Sequence, residues 1–510
     1  MGARRSFWAV LLGIQIVAGM PGAPPLFAEE PTTLKAGFAE ADITPQIGME
    51  QPGGYGKSYL RTLHDPCKAR AAVFDDGRRR VAVVGVDALA LRRETVDEVR
   101  KAITARTGIP AEAILLAASH SHSSGPIFGV WPGEFDHASK LVQKLAYEQS
   151  TMVDAAYEAL VRKQIVAAVC QADKSRVEAR VAVGKGLEGQ VSFNRRFRMT
   201  GGLSFTHPGQ GNSDILQPAG PIDSDVGVIG AWDAQGHLLG CVVNFACHAT
   251  TSPGGISANY IFYLEQAIRG VMGTKATVVF LAGAAGDVTQ VDNLSSYSHP
   301  GAEDWARLVG GRVGAEALKV LLSMRPATLG PVDAHSRLLQ IPRRRPSPQR
   351  LRQCQEIVQK DPKQVDATQW TFAKEIVLLD ALLAKRPTAE VEIQAIQIGP
   401  VVLLADPAEW FCQYGLQMKA HSPFPFTFPV TLANGCVGYV PTLEAFGPHG
   451  GGYETRLTSY SNLEITAGNQ MLAAALELAG GMKPGKLPAP PPAPPFKAPW
   501  SYGNVPPERE

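Results

Sequence analysis

The chain predicts an α/β body built on mixed sheets, and three observations carry that prediction. Aliphatic runs of strand length alternate with stretches whose apolar residues recur at helical spacing. Those runs repeatedly finish in small or polar residues, the pattern of sites placed at strand ends. At 510 residues, with 45% hydrophobic and 19% charged, the chain has enough apolar material for a sizeable core.

The elements follow in order. "RRVAVVGVDALAL" (79–91) reads as a buried strand running into a loop, and "RETVDEVRKAITARTG" (93–108) as an amphipathic helix closed by glycine. "PAEAILLAASHSHS" (110–123) is a second strand, followed by one long helical pattern over 137–164. Then come the strand "HLLGCVVNFACHATT" (237–251), the helix "ANYIFYLEQAIRGVMG" (258–273) and the strand "ATVVFLAGAAGDVTQ" (276–290). The remainder predicts a smaller α+β region. A helical hairpin, inserted over 346–388, separates the strand-like "SRLLQIP" from "TAEVEIQAIQIGPVVLLADPAE", and "FPVTLANGCVGYVPT" adds one more strand and its loop.

The ends of the chain read differently. Residues 1–28 carry Arg4 and Arg5, an apolar run from Phe7 to Met20 and a small residue at Ala28, the order of a secretory signal. Export, periplasmic or secreted, is the expectation, with a body over 29–478. Residues 479–510 form a proline-rich tail, too short and too poor in strands for an immunoglobulin-like domain at the C-terminus. A formal net charge of +2 gives no reason to expect nucleic acid, and no protein partner is inferable. The seven cysteines are odd in number and lack paired metal-ligand spacing, so no cysteine metal site is expected.

The chemistry lies at strand ends. His120 and His122 close one run, His248 another, and Asp406 and Glu409 a third. Alternate residues of a strand share a face, so His120 and His122 are expected to reach one site. Histidines with a carboxylate make a ligand set that suits zinc. His64, His137, His237, His299, His335 and His421 read as turn or core residues, and Trp131, Trp370 and Trp410 as packing or surface aromatics.

"AGFAEADITP", "GGYG", "LHDPCKARAAVFDDG", "ILLAASHSHSSGP", "SFNRR", "NFACHATT", "LAGAAGDVTQ", "DPAEWF", "GYVPT" and "GGYET" stand in the order found in neutral ceramidases. Over roughly residues 34–478 the chain resembles the catalytic domain of these non-lysosomal, zinc-dependent amidases. The resemblance implies a zinc ion held by His120, His248, Glu409 and Tyr439. It implies that His122, Arg195 and Tyr453 stabilise an oxyanion or deliver a proton to the leaving amine. Thr289 stands where the family has a serine, and keeps its hydroxyl. The implied reaction is hydrolysis of an N-acyl bond by metal-activated water. Its substrate would be small and amphipathic, ceramide or another N-acyl lipid, of the kind a membrane surface presents. Two other readings stay open: a zinc esterase or deacylase on a different acylated substrate, and an exported binding module with a dead site.

Overall fold

The strands Ile114–Ala118, Arg80–Val86, Lys68–Asp75, Lys35–Asp42 and Val177–Glu178 lie side by side, in that order, in the first of three main sheets. This computed structural model describes residues 33–489, together with Gly2, Pro492, residues 502–503 and 505–510. The segment read as a secretory signal, and most of the proline-rich tail beyond 489, lie outside the described residues.

A second sheet orders Thr277–Ala282, Leu238–Phe245, Asp225–Trp232 and Arg180–Leu187. The two sheets pack face to face, so closely at one point that a Cβ on Gly85 would lie 2.4 Å from the Phe280 carbonyl oxygen. Period-two alternation divides the second sheet's residues between two apolar layers. Ile229, Ala231, Val242, Val279 and Leu281 turn to the first sheet, while Val226, Val228, Val243, Phe245 and Phe280 meet the helices Tyr260–Met272 and Ala302–Ser323. Helices Arg93–Thr107 and Ala155–Lys174 cover the other side of the first sheet. The result is a four-layer α/β body. Strands buried on both faces must be aliphatic throughout, which is why they read as continuous runs.

A third sheet orders Val332–Pro342, Thr388–Ile398, Val401–Ala405 and Phe426–Val430, with helices Cys412–His421 and Ala467–Gly480 against it. Helices Pro348–Val358 and Ala367–Leu383 connect the antiparallel partners Val332–Pro342 and Thr388–Ile398. Among the described residues no helix is long and apolar enough to cross a membrane.

Two local readings need correction. The pattern over 137–164 is not one helix but two, Lys140–Tyr147 and Ala155–Lys174. Between them the chain runs extended to bridge Val130 with Met152, burying Ser150 and Thr151, and Asp154 restarts the helix by accepting from the Tyr157 N–H. The second strand ends at Ala118, before both histidines.

Each main sheet contains one parallel pair formed by a strand, helix, strand connection, through helices Arg93–Thr107, Tyr260–Met272 and Cys412–His421. The loop after Val430 ties the three sheets together at one end of these pairs. Thr431 N–H donates to Ala282 (2.9 Å), Ala118 N–H to Leu432 (3.1 Å) and Ala433 N–H to Asp406 (2.8 Å). Side chains just beyond Ala118, Phe245 and Ala405 therefore converge.

Candidate metal centre

Three ligand atoms meet at this convergence. One ring nitrogen each from His120 and His248 and one oxygen of Glu409 lie within 4.8 Å of one another, and all three residues are buried. Glu409 Oε2 stands 2.9 Å from His248 Nε2 and 3.2 Å from His120 Nε2.

The backbone fixes how each ligand points. After Ala118 the chain continues beside Arg80–Val86, Ser119 donating to Val86 and Ser121 to Ala88, but His120 between them takes φ 63. This left-handed residue, costly for a side chain with a Cβ, turns the imidazole so that Nδ1–H donates to the Leu89 carbonyl at 2.9 Å. His248 Nδ1–H donates to Ala285 (2.7 Å) and Val288 (3.1 Å). Both rings thus carry their proton on Nδ1 and present the Nε2 lone pair to the centre. Glu409 enters from a short parallel pairing in which it is the register partner of Tyr439. Its Oε1 accepts from the Tyr460 hydroxyl at 2.6 Å, while buried Oε2 meets no hydrogen-bond donor. Two imidazole lone pairs and an orphaned carboxylate oxygen aimed at one point fit a divalent cation. The Tyr439 hydroxyl, 3.5 Å from His248 Nε2, faces the same point.

The electrostatics agree with a site for a cation and an anionic reaction. Burial, with Arg195 nearby, pushes His248 down to about 4, keeping it neutral. Burial and the neighbouring His120 and His248 also hold His122 well below its usual value. Burial lifts the Tyr439 phenol, and the Arg195 guanidinium, 5.3 Å over its ring, works against that rise.

The structure brings seven of the eight expected residues together. His122 sets Nε2 at 3.2 Å from His120 Nε2. The two histidines do not meet through strand alternation; the left-handed turn at His120 brings them side by side, with ring centroids 4.8 Å apart. A Cβ on Gly53, itself at φ +107, would lie 2.4 Å from His122 Nδ1, so the loop carrying "GGYG" closes tightly over this ring. Arg195 Nη1 is 3.3 Å from His248 Nε2, its Nε donates to Glu454 (2.7 Å) and its Nη2 to the Gly286 carbonyl (2.8 Å). Arg196 instead lies over the Phe411 ring at 5.0 Å. Tyr453 packs 5.4 Å from Tyr439 and donates its hydroxyl to that of Tyr55 at 3.3 Å.

Thr289 is the exception. Its hydroxyl accepts from the Val291 N–H at 3.2 Å, and the residue is not among those lining the cavity. Of the two candidate carboxylates, Asp406 spends Oδ1 on the Ala408 N–H (2.8 Å), and burial pushes it well above its usual value. Tyr460, Glu454 and Tyr55 complete the site without having been read from the sequence. Trp131, Trp370 and Trp410 do not line the cavity; Trp410 is buried against Tyr414, and Trp131 lies under Arg92.

The centre opens into a cavity of about 630 Å³. Its walls include His120, His122, Glu409, Tyr439, Tyr453 and Tyr460, and farther out the hairpin residues Leu378 and Leu382.

No family model matches the sequence. The neutral ceramidase of Pseudomonas aeruginosa is 25% identical over 361 residues, 67% of this chain and 49% of that protein. The chain thus spans about half the length of this curated relative. Among solved structures, a ceramidase complexed with C2 superposes with a TM-score of 0.63 at 19% identity, covering 91% of this chain and 77% of that one. The crystal structure of the Pseudomonas aeruginosa neutral ceramidase gives 0.62 at 21% identity, with the same coverage. The chain is therefore ceramidase-like, in sequence over two thirds of its length and in fold over nine tenths of it.

Proposed function

We propose that this protein is an exported, zinc-dependent amidohydrolase that cleaves the N-acyl bond of ceramide or a related N-acyl lipid. The observation that carries the reading is the meeting of His120 Nε2, His248 Nε2 and Glu409 Oε2 at the inner end of a cavity, each fixed by a hydrogen bond on its far side. His120, His248, Glu409 and Tyr439 would hold the ion. Bound there, zinc supplies Lewis acidity that polarises an acyl carbonyl and makes water a nucleophile near neutral pH.

The chain's own groups supply the rest. His122, neutral in its buried setting, accepts a proton from the attacking water and returns it to the leaving nitrogen as the C–N bond breaks, giving a carboxylic acid and an amine. Arg195 stays protonated because Tyr439, Glu454 and Glu409 outweigh the cost of burying it. Anchored by Glu454 and Gly286, it offers a fixed cation where negative charge develops on the acyl oxygen. Tyr453 adds a phenol that burial holds at about 12, a neutral donor at the same edge.

The amide reading is tested with a fluorescent short-chain ceramide and its ester counterpart, each before and after chelation. We expect hydrolysis of the amide that stops on chelation and returns with zinc. Turnover of the ester alone would replace the reading with that of a zinc esterase, and turnover of neither with that of a binding module.

A further inference from the structure

Away from the histidines, the cavity reaches the strand ends that carry the inserted hairpin. Phe128, Val130, Phe135, Leu378, Leu382 and Val437 give it apolar walls. Cations interrupt them. Arg343 N–H donates to the Pro387 carbonyl at 3.0 Å, which sets Arg343 beside Lys385 and Arg386, and all three line the cavity with Arg92.

The nearby carboxylates are already engaged. Glu134 lies 2.9 Å from Arg92 and 3.9 Å from Arg386, and Glu94 lies 3.2 Å from Arg386 and 3.7 Å from Arg92. Glu375 is paired with Lys374 at 3.2 Å. Arg93, bound to Asp97 and Glu392, and Glu390 are the remaining outer charges and are of opposite sign. Among the described residues Arg343 has no carboxylate within ion-pair distance, and Glu134, the acid that acts on it, is already paired with Arg92. The Nη1 of Arg343 donates to the amide oxygen of Asn462 at 2.5 Å, and its buried Nε meets no acceptor. Burial and the neighbouring Arg386 bring its guanidinium down to about 10, so it remains charged at neutral pH. A partly buried cation with no contacting counter-ion is costly, and a ligand that carries one relieves the cost.

We propose that Arg343 is the centre of an anion subsite, and that the substrate is an N-acyl compound bearing an oxyanion (a carboxylate, phosphate or sulfonate), which ceramide lacks. This rests on the hydrolase reading and narrows its substrate class. The Arg343 guanidinium, which borders the cavity, binds such a group through charged hydrogen bonds, while the acyl chain lies along Leu378, Leu382 and Phe135.

N-dodecanoylglycine and N-dodecanoylethanolamine share chain and amide and differ in the anion, so they form the assay pair. The expected result is a kcat/KM at least about tenfold higher for the glycine compound, as a charged hydrogen bond provides, with the advantage shrinking as salt rises. Arg343→Met should abolish that ratio and Arg343→Lys retain part of it. A second readout is independent of turnover: calorimetric binding of octylphosphonate to the wild-type protein, lost in Arg343→Met. A wild-type ratio near or below unity, together with no octylphosphonate binding, overturns the subsite while leaving the amidase reading intact. Binding that depends on Arg343 without hydrolysis of either amide upholds the subsite and defeats the amidase reading. Binding unaffected by Arg343→Met overturns the assignment to this residue.

Discussion

Replacing Arg195 with methionine is expected to lower kcat by about 10²–10³-fold while the metal content of the protein stays unchanged. The magnitude is that of removing one fixed donor from an oxyanion site, about 3 kcal/mol. Arg195 meets the cluster through Nη1, 3.3 Å from His248 Nε2, and over the Tyr439 ring at 5.3 Å, and is not a ligand in the proposed set. The substitution has a second consequence. Glu454 is fully buried and would lose its 2.7 Å partner, keeping the Thr206 hydroxyl and the more distant Arg196. Leaving a buried charge with no partner costs about 3–5 kcal/mol of stability, and losing one of two arginines costs part of that. Adding Glu454→Gln to Arg195→Met should therefore restore much of the melting midpoint without restoring kcat. If kcat recovers with stability, Arg195 acts only by holding the fold. The checks are steady-state kinetics, thermal unfolding and metal analysis on the same preparations.

Glu409→Gln is expected to remove metal binding at micromolar metal. Losing an outer hydrogen-bond partner of a ligand typically weakens a site by about 10–100-fold, and losing the only carboxylate of a set otherwise made of imidazoles and a tyrosine exceeds that. The Tyr460 hydroxyl can still donate to the amide oxygen, which leaves an NH₂ group aimed at two imidazole lone pairs. The apoprotein should therefore fold, and the difference should appear on titration with zinc. Wild type should gain about 2.7 kcal/mol of stability when free zinc is a hundredfold above its Kd, whereas the variant should gain nothing at that concentration. Calorimetric titration and thermal unfolding with and without zinc make the comparison. Equal gains in both proteins would mean the ion binds elsewhere.

Much of the fold was legible because its physics is local or doubly buried. Strands such as Arg80–Val86 and Thr277–Ala282 are apolar on both faces and read directly. Helix Arg93–Thr107 announces its end at Gly108. Helix Ala302–Ser323 does not read as one, because Gly310, Gly311 and Gly314 resemble breakers. Two of them are there for packing, since a Cβ on Gly310 would come 2.1 Å from the Tyr260 carbonyl oxygen and one on Gly314 2.9 Å from that of Leu264.

At the site, strand-end placement singled out His120, His122, His248 and Glu409 as candidates. What brings the first two together, a left-handed histidine, has no signature in a strand-like run. The supporting partners were hidden by distance along the chain: Tyr460 lies 51 residues from Glu409, Glu454 lies 259 from Arg195, and Tyr55 lies 398 from Tyr453. Tyrosines and a glutamate at such separations look like any others until the sheets pack. The hairpin could be read as two helices, but not as a wall of the cavity, because that follows from where Pro342 and Thr388 pair.

In the proposed function, His120, His248, Glu409 and Tyr439 bind a metal ion on which hydrolysis depends. Elemental analysis of the folded protein, equilibrated with zinc and freed of excess, tests it most directly when run beside His120→Ala. About one zinc per chain is expected in the wild type, removed by chelation and regained on addition, and none retained by the variant. A wild-type protein that folds yet takes up no zinc, or a His120→Ala variant that retains a full equivalent, would contradict it.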